Sequence, residues 1–372
     1  MEKREYTQEQ AEWQFTEEFA RQKRKYYHRP NILVCGYTGS GKSSLINAIL
    51  GDEIVPQDKI GEGKPKTQGF EEFANDLVRV YDSKGMENGD SEEDFVRMTS
   101  NFIREKQNSP NVDDHIHIVW YVIQGPGARV TECDRHLIKS VFNPEHVIVV
   151  ISKADIIRGK QKDALKAEVL NAGVPEERII FTSDKEGGCQ GCADLTRLTY
   201  KMLPAAYHDA FIEQQKIDKE TKKAAIEAKE SKADVIVGAG AAAATAAAAS
   251  PIPFSDATII VPVQITMIAS LAGLYGMDAE KIKAQFLPFV AKQAGKFLVA
   301  NAIKLFPGHG SVAGAAINGT VAATITGAMG LYVKSIFKGT ALAKVDGREP
   351  PKMAFDPEIL EQFCSAWKNN KA

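Results

Sequence analysis

The chain has 372 residues, enough for two domains or one large one. Charged residues make up 25% of it and apolar residues 44%, a globular balance that argues against a disordered or fibrous protein. The net charge of −2 favours no nucleic-acid partner. The charged start, MEKREYTQEQAEWQF, lacks the apolar core of a secretory signal. Five scattered cysteines predict no disulfide framework, so we expect a cytoplasmic protein.

A polar N-terminal helix is predicted within residues 1–29, and Pro30 ends it. Apolar strand-like runs and helical segments then alternate, which predicts an α/β domain over residues 30–205 with a doubly wound parallel sheet. The strand-like runs are Ile32–Cys35, Leu77–Tyr81, Ile116–Ile123, Val147–Ile151 and Ile179–Thr182. The helical segments are Lys42–Leu50, Ser91–Lys106, Glu132–Val141 and Lys160–Ala172.

The composition changes twice in the second half of the chain. Residues 206–232 are dense in charge and contain good helix formers, which predicts a connecting helix. Residues 233–343 are dominated by Ala, Gly, Ile, Val and Thr and predict an all-α, Ala/Gly-rich domain. Residues 344–372 return to mixed polar character and form a predicted C-terminal tail.

A phosphate-binding loop is predicted at the end of the first strand. GYTGSGKS, from Gly36 to Ser43, matches G-x-x-x-x-G-K-[ST] between a strand and a helix. Backbone N–H groups in such a loop turn around an anion, and the helix N-terminus adds positive charge. Lys42 is expected to reach the β- and γ-phosphates and Ser43 to bind Mg²⁺. The predicted phosphate-binding residues are Gly36, Thr38, Gly39, Ser40, Gly41, Lys42, Ser43 and Ser44.

The stretch SKAD, Ser152 to Asp155, indicates which base is bound. It follows the strand-like run HVIVVI. The carboxylate of Asp155 can accept hydrogen bonds from N1–H and the exocyclic amine of guanine, whereas adenine would leave it unpaired. The stem of Lys153 is expected to lie along the base plane. The sequence therefore predicts GTP and GDP as ligands, rather than ATP.

Together with these motifs, the chain resembles the Era-like group of translation-factor-class (TRAFAC) GTPases. The family motif is usually N-K-x-D or T-K-x-D, so Ser152 departs from it. DSKG, Asp82 to Gly85, matches the family's D-x-x-G. The resemblance implies that Asp82 holds Mg²⁺ through water and that the Gly85 amide senses the γ-phosphate. It also implies that Thr67, the one threonine between the P-loop helix and Asp82, closes over Mg²⁺.

The last motif of the family is the weakest in this chain. TSDK, residues 182–185, resembles S-A-K with Asp184 in place of alanine. The resemblance implies base contacts through Ser183 and Asp184. The implied catalytic residues are Lys42, Thr67 and Gly85, and the implied metal ligands are Ser43, Thr67 and Asp82.

Met86 follows D-x-x-G where many GTPases have a water-orienting glutamine. Methionine cannot perform that task, so hydrolysis is slow or another group positions the water. Candidates are Gln68, Lys84 and Arg129. Arg129 lies in the loop GPGARV and has two interpretations. It is a cis-acting or dimer-contacting arginine, or it forms an ordinary ion pair with Glu132 or Asp134.

Cys189 and Cys192 have C-x-x-C spacing without a second pair of ligands for zinc. No thioredoxin-like context surrounds them, so we predict a plain loop with two thiols. Similarly, His115 and His117 alternate on a presumed strand and are predicted to be edge residues.

Three low-charge stretches in the second half are long enough to span a membrane: Val235–Ser255, Ala257–Met277 and Leu305–Val333. Against spanning, the first is mostly Ala and Gly, and the second contains Pro262 and Gln264. A compact bundle with small-residue contacts is the alternative, for example Gly310 with Gly314 or Ala323 with Gly327. The region SPIPFSDATIIVPVQITMIASLAGLYG resembles a helical domain found behind bacterial Era-like GTPases and in some proteins assigned to the inner membrane.

Two functions therefore compete at this stage. In the first, the chain is a slow GTPase whose nucleotide state alters the docking of its helical domain to a protein effector. In the second, it is a membrane-interaction protein for which GTP is a regulatory ligand. A membrane surface and a homodimer through the GTPase domain are candidate partners in either case.

Overall fold

The computed structural model describes residues 6–51, 54–56, 69–85, 91–126, 129–185, 188–248, 256–290, 319–352 and 357–369. Contacts divide the chain into two compact units. One is Tyr27–Thr221, and the other combines Met1–Tyr26 with Lys222–Ala372. The five predicted segments, with boundaries after residues 29, 205, 232 and 343, stay predictions.

The first unit is an α/β structure, as the alternating sequence pattern predicts. Its strands are β1 Asn31–Gly36, β2 Phe70–Ala74, β3 Arg79–Ser83, β4 Ile118–Gln124, β5 Val147–Ser152, β6 Ile179–Phe181, β7 Ser183–Lys185 and β8 Gly188–Gln190. Its helices are α2 Lys42–Leu50, α3 Glu92–Gln107, α4 Glu132–His136, α5 Gly159–Asn171, α6 Cys192–Met202, α7 His208–Gln214 and the start of α8 Lys219–Ala228. A π-helical turn, Leu137–Val141, continues α4.

The main sheet has the strand order β2-β3-β1-β4-β5-β6, and only the β2–β3 pair is antiparallel. Alternate residues of β1 and β4 point to opposite faces, so the sheet has two apolar cores. One core contains Leu33 and Tyr121, and the other contains Ile32 and Trp120. The carboxyl ends of β1 and its two neighbours form the crevice where ligands bind in such folds. The predicted doubly wound α/β class is confirmed.

Strand β2 was not predicted from the sequence. Its residues FEEFA are rich in charge and lack the apolar run on which the other strands were identified. They pair antiparallel with β3, from Phe70 opposite Ser83 to Ala74 opposite Arg79. A charged strand of this kind is suited to the edge of a sheet, because its side chains discourage pairing with other chains.

His117 is buried, so the prediction that it is an edge residue is wrong. It precedes β4 near the middle of the sheet. Its Nδ1 accepts the Asn31 N–H at 2.8 Å, and its Nε2 is 3.1 Å from the Val112 carbonyl oxygen. Burial lowers the pKa of His117 to about 4, because the charged imidazolium would lose its hydration. The ring is therefore a neutral structural group near neutral pH.

The second unit is helical. Its helices are α1 Gln8–Tyr26, the remainder of α8, α9 Glu230–Ala248, α10 Asp256–Tyr275, α11 Ala279–Gln285, α12 Gly319–Asp346 and α13 Pro357–Asn369. Residues of α1, α9, α10 and α12 share one apolar core that includes Phe15, Val237, Ile268 and Val333. The C-terminal part of the chain is thus helical, as predicted.

Small residues allow the helices of this unit to approach closely. A Cβ atom at Gly240 or Gly330 would lie within 3 Å of the Met267 sulfur, so this side chain packs against both glycines. At Gly327 a Cβ atom would overlap with the ring of Trp367 on α13. The predicted pair of Gly310 with Gly314 lies outside the described residues.

Helix α1 packs on α10 through a stripe of polar contacts. The side-chain amide of Gln14 donates to the Pro262 carbonyl oxygen and to the Thr266 hydroxyl, both at 2.9 Å. One turn further along α1, Glu18 accepts a hydrogen bond from the Ser270 hydroxyl at 3.2 Å. These residues recur every four positions on both helices, so they lie on facing stripes. No pattern in the sequence pairs α1 with the apolar half of the chain.

The described helices differ in whether they are long and apolar enough to span a membrane. Among them, one helix, α12, is long and apolar enough to cross a membrane. Over an apolar stretch of 18 residues in this helix, 72% of the stretch is buried inside the protein. The core helix of a folded bundle meets the same criteria of length and composition. This is weak evidence for membrane association.

We predict that Gln14→Ala loosens α1. The substitution removes the two hydrogen bonds to α10, each worth about 0.5–1.5 kcal/mol, and a third that the Tyr6 hydroxyl donates to Gln14. Loss of the two bonds to α10 should therefore lower hydrogen-exchange protection at the α1 amides by roughly 5- to 150-fold. Gln8→Ala is the matched control, because the Gln8 amide donates to Glu12 on the same helix and makes no other side-chain hydrogen bond with the described residues. Equal protection in the two variants would contradict a role for the polar stripe.

Candidate nucleotide-binding site

The predicted phosphate loop follows β1 and enters α2. Helix α2 begins at Lys42, and its N-cap, Gly41, provides no side-chain cap. The first amides of α2 are therefore available to an anion. Lys42 is buried, and its ammonium donates to the carbonyl oxygens of Gly36 and Tyr37 at 3.1 Å each. Burial lowers the pKa of Lys42, and the charge of Asp82 opposes that effect.

The first turn of α2 is joined to the end of β3. The Ser43 hydroxyl donates to Asp82 Oδ2 at 2.8 Å. Asp82 Oδ1 is buried and has no hydrogen-bond partner in the described part of the chain. Burial raises the pKa of the Asp82 carboxyl, while Lys42 and Ser43 act in the opposite direction. A hydroxyl beside a carboxylate with a free oxygen is a donor set that fits Mg²⁺.

The glycine of D-x-x-G lies directly against the phosphate loop. A Cβ atom at Gly85 would overlap with the backbone of Thr38. Gly85 is buried by this contact, whereas Thr38, Gly39 and Ser44 are exposed on the loop. Gly85, just after β3, is thus in direct contact with the phosphate loop. Thr67, Gln68 and Met86 lie outside the described residues, so their predicted roles stay predictions.

The SKAD segment is attached to the phosphate loop at two points. The Ser152 hydroxyl donates to the Ser40 carbonyl oxygen at 2.7 Å, and the Lys153 ammonium donates to the Gly39 carbonyl oxygen at 2.9 Å. Lys153 has a left-handed backbone, with φ of 53°. Asp155 is exposed, and no hydrogen bond or ion pair occupies its carboxylate within the described residues. The tethering role of Ser152 was missed, although its place in the N-K-x-D position was a signal.

The predicted last motif lies beside SKAD. The Ala154 N–H donates to the Thr182 carbonyl oxygen at 2.9 Å, and the Thr182 N–H donates to the Ile151 carbonyl oxygen at the same distance. Ser183 is buried at the start of β7, and Asp184 follows it on the same strand. These contacts bring the backbone of TSDK next to the segment that carries Asp155.

Arg129 is exposed and forms no ion pair with the described residues, so the paired interpretation of this arginine is wrong. Glu132 is paired with Arg135 at 2.6 Å instead. Asp134 accepts from the Tyr121 hydroxyl and caps α4 together with Thr131. Both carboxylates that were expected to neutralise Arg129 are therefore engaged elsewhere.

Comparisons with known proteins agree with this geometry. Residues 31–153 match the family model described as 50S ribosome-binding GTPase. Septin CDC11 of Candida albicans is 25% identical over 172 residues, which cover 39% of this chain and 43% of the septin. Cell division control protein 10 of Saccharomyces cerevisiae is 25% identical over 200 residues, covering 47% of this chain and 62% of that protein. The chain spans about half the length of these relatives.

Two solved structures are among those to which the chain is similar, each at low identity and low TM-score. A probable GTP-binding protein engB is 18% identical with a TM-score of 0.34, over 46% of this chain and 97% of the other. Toc33 from Arabidopsis thaliana, solved with Mg²⁺ and GMPPNP, is 17% identical with a TM-score of 0.33, over 55% and 93%. The sheet, the loop geometry and the match to the family model together show that this chain carries a P-loop GTPase domain.

Proposed function

We propose that the chain is a guanine-nucleotide switch that binds GTP and hydrolyses it to GDP and phosphate. The observation that carries the proposal is the joined pair of loops. Ser152 holds SKAD against the phosphate loop at 2.7 Å, and the Asp155 carboxylate beside it is left free. A carboxylate in that place suits the N1–H and amine donors of guanine, and adenine would leave it unpaired.

Mg²⁺ is the proposed cofactor, with Ser43, Thr67 and Asp82 as the residues that hold it. When bound, it would neutralise charge on the phosphate oxygens. Lys42 contributes a buried positive charge at the same loop. Gly85 lies against Thr38, which supports the proposal that its amide responds to the γ-phosphate. We also propose that the domain belongs to the Era-like group and that Ser183 and Asp184 contact the base.

The proposed output of the switch is a change in how the helical unit engages a partner. The candidate switch segments are residues 57–69 and 82–94. A protein effector is the first candidate partner, and a membrane surface is the second. The second candidate is favoured by α12, a 28-residue apolar helix. We propose a cytoplasmic protein whose candidate contact with a membrane is this helical unit.

Nucleotide selectivity tests the proposed function. We expect GTP and GDP to displace a fluorescent GDP analogue while ATP does not. In Asp155→Asn, GTP affinity should fall about 10²- to 10⁴-fold, because two hydrogen bonds to a charged acceptor are lost. Xanthine nucleotides should then bind better than guanine nucleotides, since the new amide can donate to the xanthine 2-oxygen.

The matched control for this experiment is Asp163→Asn. Asp163 lies exposed on α5, and its substitution removes the same charge from the same domain. Its GTP affinity should equal that of the unaltered chain. Equal affinity for ATP and GTP in the unaltered chain would refute the proposed function.

We further predict that Arg129 contributes to hydrolysis, within the chain or across a homodimer. In Arg129→Ala the rate constant kcat should fall at least about tenfold while the Kd for GTP stays within about twofold, as for an arginine that acts on the transition state. Arg135→Ala is the control, because Arg135 is engaged by Glu132 and Glu168. If the arginine acts across a dimer, activity per molecule should rise with protein concentration. Unchanged kcat in Arg129→Ala would disprove the role.

Vesicle flotation separates the two candidate partners. The full chain is mixed with vesicles of neutral and anionic phospholipid in the presence of GDP or a non-hydrolysable GTP analogue. A membrane role predicts that the fraction of protein that floats differs between the two nucleotides. In Lys42→Ala this difference should disappear. Recovery of all protein in the unbound fraction under both nucleotides would exclude the membrane candidate and leave the protein effector.

A further inference from the structure

A disulfide lies next to the predicted base-binding segment. Cys189 on β8 and Cys192 at the start of α6 are joined, with their Cα atoms 5.5 Å apart. The prediction of a plain loop with two thiols is therefore wrong for this state of the protein. Cys192 is fully buried, whereas Cys189 is partly exposed. A reductant can thus reach the Cys189 sulfur first.

The turn between the two cysteines packs against the backbone of Phe181, next to the residue that is hydrogen-bonded to SKAD. Gly191, between them, has φ of 78°, and a Cβ atom there would overlap with the Phe181 carbonyl oxygen. The next residue, Thr182, is bonded on both sides to the SKAD strand and loop, through Ile151 and Ala154 at 2.9 Å. The turn is therefore connected by direct backbone contacts, through Phe181 and Thr182, to Ala154, the residue that precedes Asp155.

The hairpin register makes a second connection. Strand β7 carries Ser183 and Asp184, the residues proposed to contact the base, and it pairs with β8. In that pairing Asp184 lies opposite Cys189, and Ser183 lies opposite Gln190. The same short hairpin thus presents the base-contacting backbone on one strand and a disulfide sulfur on the other.

We propose that Cys189 and Cys192 are a redox-active pair whose oxidation state sets how tightly the chain holds guanine nucleotide. The inference rests on the proposed function, because the affected site is the guanine site. Disulfides in reducing compartments are usually transient or redox-sensing rather than structural. The pair closes a ring of only four residues, so its effect is confined to the turn and to what the turn touches.

The reaction is thiol–disulfide exchange with a dithiol reductant. A thiolate of the reductant attacks the Cys189 sulfur, the Cys189–Cys192 bond breaks, and Cys192 leaves as a thiolate. The second thiol of the reductant then attacks the mixed disulfide and releases Cys189. The protein gains two electrons and, with two protons, ends with two thiols. The reductant loses two electrons and ends as a disulfide.

The direction of the effect follows from conformational freedom. The disulfide restrains the backbone of the turn, and the turn packs against Phe181 and Thr182. Reduction gives this backbone more conformations, so ordering it around a bound base costs more free energy. The reduced protein should therefore release guanine nucleotide faster than the oxidised protein.

The test uses the full chain in two states, one treated with a dithiol reductant and one with a small disulfide oxidant. Titration of accessible thiols in denaturant should differ by two between the states. Dissociation of a fluorescent GDP analogue should be at least about threefold faster from the reduced protein. The double variant with Cys189→Ser and Cys192→Ser should dissociate at the fast rate under both treatments.

Cys364→Ala is the matched control, because it removes a buried thiol from the other compact unit. It should keep the redox response. Equal dissociation rates in the two states, or no difference of two thiols, would overturn the inference while leaving the proposed function intact. Failure of both states to bind guanine nucleotide would overturn the proposed function and the inference with it.

A redox titration provides an independent measurement on the unaltered chain. Because coupling between two ligands is reciprocal, saturating GDP must favour the disulfide by the factor by which the disulfide favours GDP. For a two-electron couple, a threefold effect corresponds to a midpoint lowered by about 14 mV. A midpoint that GDP leaves unchanged would contradict the coupling.

Discussion

The nucleotide site depends on the hydrogen bond from the Ser152 hydroxyl to the Ser40 carbonyl oxygen, 2.7 Å long. It joins the end of β5 to the loop after β1, although β4 lies between these strands in the sheet. The bond positions the SKAD segment relative to the amides of the phosphate loop, and Lys153 adds a second link to Gly39. Because a nucleotide has a fixed distance between base and phosphates, a site assembled from two loops must hold them at that distance.

The other contacts of the site extend from this joined pair of loops. Gly85 packs on Thr38, so the end of β3 meets the same phosphate loop. Thr182 bonds the SKAD segment from the opposite side, and the turn with the disulfide packs on Thr182 in turn. A short series of backbone contacts therefore connects the disulfide turn to the SKAD segment, and the SKAD segment to the phosphate loop. These contacts are close and involve carbonyl groups and glycines, which leaves little room for independent movement.

The helical unit is stabilised mainly by burial of its apolar helices against one another. Helices α9, α10 and α12 are apolar over most of their circumference, and such helices must be buried against something. Gly240 and Gly330 admit the Met267 side chain, and α1 covers α10 through Gln14 and Glu18. Of the two residues that weakened the prediction of a membrane span, Pro262 accepts a hydrogen bond from Gln14 on α1 through its carbonyl oxygen, whereas the Gln264 amide donates to the Thr326 hydroxyl on α12 at 3.3 Å. A polar stripe of this kind could not be recognised from α10 alone, because its partner is more than 200 residues away in the chain.

The motifs Gly36–Ser43, Asp82–Gly85 and Ser152–Asp155 and the alternating apolar runs were sufficient to predict the α/β class and the order of its ligand loops. Short-range spacing carries that information, because each motif is read within one strand, turn and helix. The strand β2, the burial of His117, the tether at Ser152 and the disulfide at Cys189 were decided only by the tertiary structure. Each depends on a neighbour that is distant in sequence or on the conformation of a backbone turn. The spacing of apolar residues along the sequence predicts neither of these.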